Sequence, residues 1–201
     1  MPDLLLALLA FAFVAAITPG PNNLMLLASG ANFGFRRTIP HMLGIGVGHS
    51  ALILTLGLGL AGLFHAWPQA HSVLKAVAVV YMLWLAWKIA NAAPPKGETA
   101  TGRPLTFLQA AAFQWVNPKA WAMAMTAITV YAPALAGDGP GAWGALLVAA
   151  AFATVTLPSV SAWTALGQQM ARFLTDRVRL RAFNIAMALL LVASLWPILS
   201  A

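Results

Sequence analysis

Six residues, Thr18-Pro19-Gly20-Pro21-Asn22-Asn23, stand in the middle of an apolar run from about Leu4 to Phe33. No continuous helix survives them, because each interior proline costs about 3 kcal/mol of helix stability and frees a carbonyl. The run is long enough to cross a bilayer, so the segment reads as a membrane helix broken near its centre. In hydrocarbon every freed backbone group needs a partner within the protein, and such breaks line cavities or binding sites. Asn117-Pro118-Lys119 interrupts a second long run, from about Leu105 to Leu135, again near its middle. Matched breaks in corresponding spans point to a solute site in a carrier.

The surrounding composition supports a membrane setting. Of 201 residues, 61% are hydrophobic and 7% charged, with mean hydropathy +0.83, far from soluble globular usage. The net charge of +7 argues for no nucleic-acid partner, because the basic residues fall in short loops between apolar runs rather than on one soluble face. The chain has no cysteine, which excludes disulfides, thiolate metal sites and thiol relays. No metal and no cofactor are expected. Met1-Pro2-Asp3 lacks the basic region of a signal peptide, so the first span is expected to be retained.

Apolar runs predict an all-α membrane protein with six spans, about Leu4 to Phe33, Thr38 to Leu63, Ser72 to Ala90, Leu105 to Leu135, Ala142 to Leu166 and Ala182 to Leu199. A long, long, short order occurs twice. A three-span unit has odd parity, so its second copy enters the membrane from the opposite side, as in the inverted repeats of secondary transporters. The expected organisation is one transmembrane domain over 1–201, with repeat one at 1–92, repeat two at 105–201, and a cytoplasmic linker at 93–104 containing Pro94-Pro95-Lys96-Gly97-Glu98. Arg36, Arg37, Lys88, Lys96, Arg103, Arg172, Arg177, Arg179 and Arg181 share one side, against Lys75 on the other. The positive-inside rule then puts both termini outside, with Trp67, Trp143 and Trp196 at the outer interface and Trp87 at the inner one.

Lys119 is the one basic residue near the centre of a span, where a charge costs about 2.5–3.5 kcal/mol on insertion scales. It is expected to face the interior, either docking a substrate carboxylate or solvating freed carbonyls. Asp3, Glu98, Asp138 and Asp176 all lie outside the apolar runs, so proton coupling has no buried acid to use. His49 is the candidate coupling residue, with a histidine bonded to a helix carbonyl as the alternative. His41, near the end of the same span, is expected at the interface. Gly30/Gly34 and Gly44/Gly48 form G-x-x-x-G pairs, which pack helices within a subunit or join a homodimer. Thr154, Thr156, Ser159 and Ser161 surround Pro158, where their hydroxyls can satisfy the kink or touch a ligand, and satisfying the kink is the more economical expectation. Trp115 and Trp121 flank the second break, as pocket walls or as interior packing.

Thr18-Pro19-Gly20-Pro21-Asn22, Gly34-Phe35-Arg36 and Asn117-Pro118-Lys119-Ala120 together resemble the LysE/RhtB family of bacterial amino-acid exporters. Tyr81 with Trp84-Leu85-Ala86-Trp87-Lys88-Ile89-Ala90, and Asn184-Ile185 with Ala188-Leu189-Leu190-Leu191-Val192, look most like its cysteine and O-acetylserine exporter branch. The resemblance implies a six-helix efflux carrier of the bacterial inner membrane, driven by the proton gradient, and no enzyme activity. Many members carry aspartate after the second proline of the first motif, where this chain has Asn22, as the cysteine-exporter-like branch tends to. An amide cannot titrate, so Asn22 reads as a hydrogen-bond partner.

The expected function is therefore export of small neutral amino acids by alternating access, the two three-helix halves rocking about a site built from Thr18, Pro19, Gly20, Pro21, Asn22, Asn23, Asn117, Pro118 and Lys119. Lys119 takes the carboxylate, and amide and carbonyl oxygens take the ammonium. Two alternatives stand beside it. A channel needs a ring of charges or a carbonyl filter, and an intramembrane enzyme needs a nucleophile with its base or a metal site; the spans offer serines and His49 but no acid. The expected partners are a small amino acid and the lipid bilayer.

Overall fold

The computed structural model describes residues 2–60, 69–92, 103–137 and 141–196. Among these the secondary structure is helical throughout, without a strand: α1 (Pro2–Ile17), α2 (Pro21–Phe33), α3 (Phe35–Thr55), a π turn at Leu56–Leu60, α4 (Gln69–Ala90), α5 (Phe107–Gln114), α6 (Pro118–Val130), α7 (Ala132–Ala136), α8 (Gly141–Met170) and α9 (Arg177–Ala193). The linker segment 93–102, and with it Lys96 and Glu98, lies outside the described residues, as do Trp67 and Asp138.

Both breaks form where the prolines put them. Helix α1 stops at Ile17, Gly20 is fully extended (φ −174°, ψ −179°), and Pro21 opens α2, a position where the missing N–H removes no intrahelical bond. The two helices meet with a bend of 55°. In the second break α5 is opened by a capping box, Thr106 Oγ1 accepting from Gln109 N at 3.2 Å and Gln109 Oε1 from Thr106 N at 3.1 Å. Asn117 then caps α6 through its Oδ1, 3.2 Å from Lys119 N.

Among the described residues three helices are long and apolar enough to cross a membrane, α3 with its π turn, α4 and α8, and the bent pair α1–α2 makes a fourth candidate span. Over the expected fourth span the chain forms the 8-residue α5 and the 13-residue α6, and over the sixth the 17-residue α9. Helices α2 and α3 are joined by Gly34 alone, at φ +79°, which lets the chain turn sharply without a loop.

The packing crosses the two halves of the sequence. Helix α8 lies along α1 and α2, while α3 lies along α5 and also against α8, and α4 pairs with α9. Glycines set the closest seams. A Cβ on Gly30 would collide with the Thr164 carbonyl, one on Gly167 with the Leu27 carbonyl, and one on Gly44 with the Phe107 carbonyl; at Gly48 it would stand 2.6 Å from Ala111 Cα. Gly30, Gly44 and Gly48 are thus spent on contacts within the chain, and they supply no surface for a homodimer. Three apolar clusters result among the described residues, and two of them flank the breaks. One gathers Met25 and Leu26 of α2, Met82 and Leu85 of α4, Phe113 of α5 and Leu191 of α9; the other gathers Leu8 and Ala12 of α1, Leu52 of α3, Ala124 of α6 and Phe152 of α8. The breaks lie between them.

Candidate functional site

The carbonyls left bare at the first break are satisfied by side chains from three elements. Ala16 O accepts from Asn23 Nδ2 and from Ser159 Oγ, each at 2.9 Å. Ile17 O accepts from Trp163 Nε1 at 3.0 Å. Thr18 O accepts from Asn23 Nδ2 at 2.9 Å and from Lys119 Nζ at 2.5 Å. At the second break the Trp115 carbonyl accepts from Trp121 Nε1 at 2.8 Å. Each of these groups would cost about 1–3 kcal/mol if left buried and unpaired. Side chains rather than neighbouring backbone therefore hold the breaks open.

The two breaks also bind one another. Asn22 and Gln114 form a reciprocal amide pair, Asn22 Nδ2 to Gln114 Oε1 at 2.8 Å and Gln114 Nε2 to Asn22 Oδ1 at 3.1 Å. Lys119 crosses the same gap, its stem lying against Gly20, where an added Cβ would come within 2.7 Å of Lys119 Cδ. Glycine at position 20 thus serves the close approach of the Lys119 side chain and not an unusual dihedral. Between the breaks is a cavity of about 40 Å³ lined by Gly20, Asn22, Asn23, Asn117, Lys119 and His49, with Thr156 and Ser159 from α8. That volume holds about one water and is too small for an amino acid. Lys119 is the only charged residue among the described lining. His49 is 4% exposed, stacks edge-on to Phe152 at 5.1 Å, and has no hydrogen-bond partner for Nε2 among the described residues.

The nine site residues expected from the motifs therefore converge, with distinct duties. Gly20, Asn22, Asn23, Asn117 and Lys119 line the cavity; Thr18 contributes its carbonyl; Pro19 frees backbone, and Pro21 and Pro118 start α2 and α6. Of the two roles weighed for Lys119, solvating a freed carbonyl is the one seen here, and the same residue lines the cavity. Gln114 was not anticipated. Of the two readings weighed for Trp115 and Trp121, interior packing holds: both pack with the second apolar cluster and are not among the cavity lining. Two expectations need correction. Ser159 does not serve the Pro158 kink but reaches Ala16 O in α1, while Thr154 bonds Ala151 O at 2.7 Å in its own helix. His41 is not at an exposed interface: it is 1% exposed.

Comparison with known proteins now decides the family. The description "LysE type translocator" matches residues 13–194, nearly the whole chain. The chain belongs to the LysE-type translocators. Its similarity to curated relatives points the same way: it is 33% identical over 131 residues to the cysteine/O-acetylserine efflux protein of Escherichia coli strain K12, and equally to that of Shigella sonnei strain Ss046, a match covering 65% of this chain and 66% of each relative. No solved structure matches. A LysE-type translocator is a multi-pass membrane transporter and not an enzyme, which removes the intramembrane enzyme as an alternative.

Proposed function

We propose that this translocator exports small neutral amino acids such as cysteine, O-acetylserine, homoserine or threonine across the bacterial inner membrane by alternating access. The observation that carries the reading is the bond from Lys119 Nζ to Thr18 O at the edge of the inter-break cavity. The lysine ammonium occupies the carbonyl that an α-ammonium needs. An arriving amino acid exchanges with it: the substrate carboxylate draws Lys119 away, and the substrate ammonium takes the vacated Thr18 oxygen. One charge–dipole bond is exchanged for another and one charge pair is gained, with no acid required from the protein. The names of the relatives in Escherichia coli and Shigella sonnei support the substrate class.

Six spans in two inverted repeats complete the proposal. The crossed packing supports it, since exchanging repeat one with repeat two maps α1–α2 against α8 onto α5–α6 against α3, and maps α4 against α9 onto itself. The units that rock are then the crossed bundles, not the sequence halves. Both termini face outward and the basic loops inward; Trp87, Trp143 and Trp196 are exposed, as belt residues are. His49, with Nε2 unpartnered at the cavity, is assigned to proton coupling. His49→Gln should retain amino-acid exchange and lose acceleration by a pH gradient; retained acceleration would move the coupling elsewhere.

The test of the whole reading is competition in everted vesicles. Neutral small amino acids should inhibit one another's saturable uptake and show counterflow, and lysine or arginine should do neither, because the cavity lining offers a second ammonium no carboxylate. Saturable lysine transport would overturn it, and flux without saturation or counterflow would favour a channel.

A further inference from the structure

A second and larger cavity, about 380 Å³, lies where the end of α2, the start of α3, the end of α4 and residues 103–105 meet. None of the nine break residues lines it. His41 does, and neither of its ring nitrogens has a hydrogen-bond partner among the described residues although the residue is 1% exposed. A neutral imidazole carries one N–H and one lone pair, and a buried polar atom left unmade costs about 1–3 kcal/mol. Two cations share the wall, Lys88 and Arg103, with no Asp or Glu among the described lining. The only ion pair among the described residues is Arg179–Asp176, elsewhere in the chain. Lys88 Nζ has instead the Trp84 ring, 5.1 Å away.

Ser29, Asn32 and Asn91 on this wall already have partners. Ser29 Oγ shares a 2.9 Å hydrogen bond with Thr38 Oγ1, and Asn32 pairs with Asn184 at 2.7 and 3.1 Å. The unmet valences are therefore two positive charges and an imidazole that can both give and accept. We infer that this cavity is a second amino-acid site, a vestibule that takes a carboxylate on Lys88 and Arg103 and the remaining polar groups of the ligand on His41. It rests on the export reading, which places this end of the molecule in the cytoplasm. Its size gives it a purpose: a molecule whose inter-break cavity holds about one water can still keep a substrate waiting.

Because the chain has no native cysteine, single thiols report each site separately. Ala92→Cys lines the vestibule and Thr156→Cys the inter-break cavity. The protein is reconstituted in phosphatidylcholine nanodiscs and alkylated with N-ethylmaleimide, with O-acetylserine as the protecting ligand, since cysteine itself would consume the reagent. At ten times its Kd the ligand should slow alkylation of Ala92→Cys about elevenfold, the free fraction being 1/(1 + [L]/Kd). That protection should survive Lys119→Ala and be lost with Lys88→Gln or Arg103→Gln, which are surface-directed changes, and with His41→Leu. No slowing at Ala92→Cys, or slowing that vanishes with Lys119→Ala, would overturn the vestibule. So would protection by phosphatidylglycerol in the absence of amino acid, which would give the cations to a lipid headgroup. Protection of Thr156→Cys alone would overturn the vestibule and leave the export reading standing; protection of neither would remove both.

Discussion

Replacing Lys119 with alanine separates the two duties that its ammonium performs. The Thr18 carbonyl keeps its 2.9 Å bond from Asn23 Nδ2, so the break stays satisfied and the cost to folding is held to about 1 kcal/mol, the net worth of one hydrogen bond. The substrate loses more. A hydrogen bond to a charged group contributes about 1.5–3 kcal/mol, and each ~1.4 kcal/mol is tenfold in affinity. The Kd for O-acetylserine should rise about ten- to hundredfold while the protein still inserts and elutes as a single species. Lys119→Arg should fall between the two, because the stem packs where a Cβ on Gly20 would stand only 2.7 Å from Cδ and leaves a guanidinium little room. Equilibrium binding of labelled O-acetylserine to purified protein in nanodiscs gives both numbers. An unchanged Kd in Lys119→Ala would show that the lysine serves only the backbone, and the proposed exchange of ammonium groups at Thr18 would be wrong.

Three further outcomes follow from the same geometry. Asn22→Leu or Gln114→Leu alone strands a buried amide and should lower stability by about 1–3 kcal/mol, whereas the double substitution should cost less than the sum of the two, as read from thermal melts of the detergent-solubilised protein; strict additivity would mean that the pair does not form. Gly20→Ala should fold, since its clash is with the flexible Lys119 side chain, yet weaken substrate binding by displacing the ammonium; unaltered affinity would show that Lys119 has other room. Single cysteines at Asp3 and Asn91, both exposed, should react with an impermeant thiol reagent from outside and from inside respectively, and the reverse pattern would invert the orientation.

What the sequence made legible was the backbone chemistry. Proline removes a donor wherever it stands, so breaks at Pro19 and Pro118 could be read without knowing any neighbour, and a lysine beside one of them had to turn inward. Choice of partner is tertiary and was not legible. Gln114 is a single amide in an apolar run, and nothing local says that it meets Asn22 across 92 positions. Ser159 sits next to Pro158, which invites a local explanation, yet its acceptor is Ala16 O, 143 positions away. His41 shows the same blindness in burial: when nearly every face of a helix is apolar, periodicity no longer separates the side toward protein from the side toward lipid.

The crossed packing also bears on how the molecule is made. Translation delivers α1 through α4 before most of the surface that α1, α2 and α3 rest upon, and the seams at Gly30, Gly44 and Gly48 are cut to fit carbonyls and an alanine of segments that do not yet exist. During that interval the Ile17 carbonyl has no Trp163 to meet it and Ala16 O keeps only its bond from Asn23, so the nascent first half carries an unmet backbone group at its break. It must wait in a place that tolerates this, beside the insertion machinery or in contact with water, until α8 arrives. Biogenesis of such a chain is a single late closure, and a ribosome stalled between the halves leaves a product with no stable fold to retreat to.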